Sequence, residues 1–172
     1  VACTGLNGPA SAVRARTIGA VAMSQTGDVY VGVSCLIGAP SYSAVIRIDT
    51  AGNSTVVAGG GASTATSGVA TGAALKSIGK IFPGPGGAFD VVTNIGLLRV
   101  AADGTYTTLA RGAAPCAMAE GQPALASCFR TATVRNDGTA VLIGDTSTDT
   151  FPYRAFGVIT SASSSWPSAT SN

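Results

Sequence analysis

Residues 18–32 read IGAVAMSQTGDVYVG and residues 44–61 read AVIRIDTAGNSTVVAGGG, and together they decide the architecture. Apolar side chains fall at every second position, the spacing that puts one face of a strand against a core. Gln25-Thr26-Gly27 and Asp49-Thr50-Ala51-Gly52 break the alternation with residues that turn a chain. The spacing predicts four strands, Gly19–Met23, Asp28–Val33, Ala44–Ile48 and Ser54–Ala58, joined as a meander. Gly59-Gly60-Gly61 then releases the chain, while residues 1–17 read as loop.

The same pattern returns as IGKIFPGPGGAFDVVTNIGLLRVAADGTYTTLARG at 78–112, and as FRTATVRNDGTAVLIGDTSTD from Phe129, ending in YRAFGVIT. Gly52 and Gly104 hold matching turn positions 52 residues apart, and Gly27, Gly87 and Gly138 are 60 and 51 apart. A period near fifty built of strands and turns points to blades stacked about an axis. The expected fold is all-β, a partial β-propeller of about three four-stranded antiparallel blades at 10–61, 68–112 and 117–160. Residues 161–172 (SASSSWPSATSN) read as a Ser/Thr-rich tail or linker around Trp166.

The chain of 172 residues is only 10% charged, against about 25% in ordinary soluble domains, and 46% hydrophobic. Ala, Ser, Thr and 23 glycines fill the difference, so the surface is neutral and hydroxyl-rich. A net charge of +2 without a basic cluster offers nothing to a phosphate backbone, so nucleic acid is not an expected partner. No run of eighteen apolar residues exists, so no membrane-spanning helix is expected.

Four cysteines, Cys3, Cys35, Cys116 and Cys128, occur without a Cys-x-x-Cys pair and without any histidine. Zinc is therefore a poor fit, and two disulfides in an oxidising compartment fit better. Of three possible connectivities we favour Cys3–Cys35 and Cys116–Cys128, because each pair brackets one insertion. Asn53-Ser54-Thr55 is an N-glycosylation sequon in an expected turn, which also suits a secreted or cell-surface protein. The start, VACTGLNGP, lacks the basic and apolar regions of a signal peptide, as in a mature product or an excerpt.

GPASAVRARTIGAVAMSQTGDVYVG (8–32), VIRIDTAGNSTVVAGGG (45–61) and LLRVAADGTYTTLARG (97–112) resemble, in order, the blade of NHL-repeat β-propellers. The Gly-Pro-Ala lead of that blade has echoes at 68–74 and 120–124. The aspartate that usually follows the "Y-v-a" strand is Gly32-Val33 in the first unit and Thr93-Asn94 in the second, surviving as Asp145 in the third. The resemblance implies rings of about six blades. Three blades would leave end faces to be covered by blades in further sequence, by other copies, or by a capping element.

Chemistry is sparse. Asp49, Asp103 and Asp137 stand in turns, where a carboxylate caps backbone amides, and Asp28 is expected to do likewise. Asp145 and Asp149 are the one acidic pair close in sequence, without the acidic density of a calcium loop. The lack of histidine removes a Ser–His–Asp triad, and neither Lys76 nor Lys80 lies in a recognisable base motif. No catalytic residue, metal or cofactor is expected. The sequence thus suggests a non-enzymatic structural module, a building block of an extracellular assembly, filament or appendage that contacts other copies. The alternative is a recognition propeller that binds an extracellular protein or glycan.

Overall fold

The computed structural model describes residues 3–35, 42–93, 96–111, 131–134, 140–145 and 154–159. Alternating sequence becomes strand throughout them. β1 (Gly8–Pro9), β2 (Thr17–Met23), β3 (Val29–Cys35), β4 (Tyr42–Ile48) and β5 (Asn53–Gly59) form a first antiparallel sheet in the order β1-β5-β4-β3-β2. β6 (Ser67–Val69), β7 (Ile78–Pro83), β8 (Phe89–Thr93), β9 (Gly96–Val100) and β10 (Thr105–Arg111) repeat that order in a second sheet, β6-β10-β9-β8-β7. β11 (Thr131–Val134), β12 (Ala140–Asp145) and β13 (Arg154–Ile159) pair in sequence order as a third.

The all-β class and the meanders agree with the alternation, but the first two sheets have five strands where four were expected. The fifth comes from stretches expected to be loop and linker. Gly8 and Pro9 pair with Ser54 and Asn53, and Ser67–Val69 pair with Thr105–Thr107. Both lie at a sheet edge, where proline's missing N–H costs no ladder bond. Each leads into a single 3-10 turn, Ala10–Ala12 or Ala70–Gly72. The Ala10 N–H donates to the Gly52 carbonyl at 2.8 Å, and the Ala70 N–H donates to that of Gly104 at the same distance. The recurring Gly-x-Ala is therefore a short edge strand with its exit turn.

The irregularities repeat too. Register slips between Ile18 and Ala20 in β2, and 60 residues later between Ile78 and Lys80 in β7. Val57 of β5 and Leu109 of β10, 52 apart, are the extra residues of a second bulge pair. Bulges at matched positions give the two sheets the same added twist, which lets one nest on the next.

Two clusters of buried residues pack on the two faces of the first sheet. Tyr30, Val45 and Ala58, with partly buried Ala20 and Ala22, form the second face of the first sheet. They pack on Ile78, Ile81, Phe89, Val91 and Leu98 of the second sheet, with Ala70, Ala73 and Leu75 wedged between. Gly32 admits this contact: a Cβ there would lie 2.6 Å from Ile78 Cγ2. Ser43 fastens the linker, its N–H donating to the Leu75 carbonyl at 2.7 Å and its hydroxyl to that of Lys76 at 2.9 Å. The first face of the first sheet, with Val31, Val33, Cys35, Ala44 and Ile46, is covered by Cys3, Leu6, Val13 and Ala15. Each of the first two sheets is thus lined by the segment that precedes it.

Candidate functional site

Cys3 and Cys35 are joined by a disulfide with a Cα–Cα distance of 5.1 Å, tying the lead segment to the end of β3. Cys116 and Cys128 lie outside the described residues, as do Asp137, Asp149 and the 161–172 tail. Asn53 is exposed and opens β5, where its N–H donates to Asp49 Oδ1 at 2.8 Å. The Ala51 N–H donates to the same oxygen at 3.0 Å. These bonds, the one from Asn53 first, hold the Asp49 carboxyl below its usual range. Asp103 is depressed by the hydroxyl and N–H of Thr105, both donating to its Oδ1. At the remaining turn the expected cap is displaced: the Ser24 hydroxyl, not the Asp28 carboxylate, accepts a bond, from the Asp28 N–H at 3.1 Å. Among the described residues no three His, Cys, Asp or Glu side chains gather in a way that could hold a metal ion.

Two cross-strand pairs carry the charge that sequence reasoning missed. Asp90 stands opposite Arg99, and the guanidinium grips the carboxylate with two bonds of 2.8 Å, Nε to Oδ1 and Nη2 to Oδ2. The signal was present in the spacing, since Asp90 lies as far before Thr93 as Arg99 lies after its partner Gly96. The Asp90 side chain is 5% exposed and that of Arg99 33%. Asp90→Ala strips a partly buried guanidinium of its partner, and urea unfolding should show a loss of about 2 kcal/mol. Arg99→Met/Asp90→Leu should recover much of it, because an apolar pair leaves no charge behind.

In the first sheet the corresponding pair is Tyr30 and Arg47, 60 and 52 residues earlier. The ring of Tyr30 lies 5.0 Å from that of Phe89, and its hydroxyl donates to the Gly87 carbonyl at 3.3 Å. Burial pushes the phenol up, with Asp28 adding to the rise, and the charge of Arg47 and its side-chain hydrogen bond to the hydroxyl partly offset it. Arg47 Nε is buried and has no hydrogen-bond partner. Beside it a cleft of about 290 Å³ opens at the seam of the two sheets, walled by Val56, Val57, Val69, Phe89 and Val100, with Thr71 and Asp103 also lining it.

No protein-family model and no curated protein matches the chain. What the arrangement can do is therefore read from its own residues. Among the described residues it offers a guanidinium in a cleft of mixed polar and apolar lining and an unusually apolar sheet face. Ile18, Val21 and Met23 of β2 are 66, 63 and 71% exposed. Their register partners Val33, Val31 and Val29 place them on the first face of the first sheet.

Proposed function

We propose that this chain is a non-enzymatic structural module, a building block of a secreted or cell-surface assembly whose sheets act as NHL-like propeller blades. The observation that carries the reading is a mismatch between two equivalent surfaces. Ile78 and Ile81 of β7 are each 6% exposed against the first sheet. Ile18 and Val21, 60 residues earlier on β2, stand bare. A first face is thus suited to receive the second face of a neighbour, and the foremost one lacks its neighbour among the described residues. Such a contact joins two different patches, so repetition yields rings or filaments instead of closed pairs. A second copy of the chain is the occupant we favour, because it carries the same stacking surfaces.

Other features agree with this reading. The Cys3–Cys35 disulfide suits an oxidising compartment. Asn53, the candidate glycan carrier, is on β5, three strands across the sheet from β2, so a glycan there would leave the bare face open. A chain with only 10% charged residues suits close packing of like copies.

Sedimentation across a hundredfold concentration range tests the proposal. The wild type should gain mass with concentration, whereas the Ile18→Ser/Val21→Thr/Met23→Ser variant should stay monomeric with unchanged unfolding. A wild type of one constant mass would remove the assembly reading.

A further inference from the structure

We propose that the seam cleft is a binding site for a monocarboxylic acid with an apolar body, and that Arg47 is the residue that recognises it. The second sheet supplies the comparison. There Arg99 finds its carboxylate inside the sheet, held by Nε and Nη2 at 2.8 Å. In the first sheet the acid's place is taken by Tyr30, whose hydroxyl donates to Gly87. Arg47 keeps the position of Arg99 with a phenol in place of the acid across the strands; its charge also acts on Asp49 and its side chain on the Tyr30 hydroxyl, while its Nε is unpartnered. A guanidinium fork matches the two oxygens of a carboxylate with two parallel hydrogen bonds.

The walls narrow the ligand class. Val56, Val57, Val69 and Val100 give part of the cleft an aliphatic lining that accepts hydrocarbon, beside the polar groups of Tyr30, Arg47, Thr71 and Asp103. Asp103 shares the cleft, its carboxylate bonded to Thr105. That second charge opposes a dianion, so inorganic phosphate is disfavoured. A volume near 290 Å³ is at the small end of ligand pockets and suits a small acid or the end of a peptide. The site is independent of the bare β2 face, on the opposite side of the first sheet.

The test follows the Arg47 Nε–Hε resonance of the full chain by NMR during three titrations. The probes are benzoate, a capped Ala-Leu-Val peptide with a free C-terminal carboxylate, and inorganic phosphate. We expect saturable shifts with benzoate or the peptide and a far weaker response to phosphate. A response to the peptide alone identifies a chain terminus as the source, and one to benzoate alone a free acid. Amide shifts in Val57 and Val100 should report on Arg47→Met, with affinity reduced at least about tenfold. Thr71→Trp, at an exposed position, should fill the cleft and reduce binding equally while Arg47 stays in place. No saturation by either carboxylate, equal affinity in Arg47→Met or Thr71→Trp, or phosphate binding as tight as benzoate would each overturn the assignment.

Discussion

Removing the Cys3–Cys35 bridge as the double variant Cys3→Ala/Cys35→Ala is expected to lower stability by about 3–4 kcal/mol. The bond spans 32 residues of sequence, so its loss frees a long loop in the unfolded chain. A second consequence is local. Leu6, Val13 and Ala15 lie over Val31, Val33 and Ile46, and the bridge holds one end of the segment that brings them there. Cys35 is 1% exposed, so alanine also leaves a small void beside β4. Urea unfolding of the double variant, and of the wild type under reductant, should give similar midpoints. A loss below about 1 kcal/mol would mean that packing alone docks the lead segment.

Gly59→Ala is expected to cost about 3 kcal/mol or more, and Gly52→Ala only about 1. The backbone is nearly the same at both, with φ of +80° and +82°. A side chain at either position pays for the left-handed conformation. The surroundings differ. A Cβ at Gly52 meets nothing within 4 Å, whereas at Gly59 it would lie 2.3 Å from the Ser43 carbonyl oxygen and 3.0 Å from Leu75 Cδ1. Ser43 is itself fixed by its bond to the Leu75 carbonyl, so the strand end cannot retreat without loosening the linker. Thermal or urea unfolding of the two variants side by side measures the difference. Equal losses would show that the strand end yields and that the conformational cost is all that matters.

Much of the fold was legible because its signals are local. Alternation and turn glycines located β2 to β5 to within a residue or two, since both act over a few positions. The edge strands were not legible. Two or three residues such as Gly8–Pro9 have no periodicity of their own, and only the partner Asn53–Ser54 makes them a strand. The turn aspartates Asp49 and Asp103 could be assigned because an Asp-x-x-Gly or Asp-Gly pattern carries its own hydrogen-bond partners. Asp90 with Arg99 required pairing across a hairpin. Tyr30 with Arg47 required more, because a connection of several residues separates β3 from β4 and hides the register. The cleft needed two sheets in contact, which no single segment encodes.

Every ladder pair of the first sheet joins residues between Gly8 and Gly59, and every pair of the second joins residues between Ser67 and Arg111. Ladder pairing therefore stays inside each unit, and what links the two is side-chain packing plus the few bonds around Ser43, the Tyr30 hydroxyl's bond to Gly87 and the Gly61 N–H's bond to Ala73. A gene encoding such a chain can grow or shrink by whole cassettes, with the cut falling near Gly61, and leave each remaining ladder intact. Only the apolar contacts and the few hydrogen bonds at a new junction would need retuning.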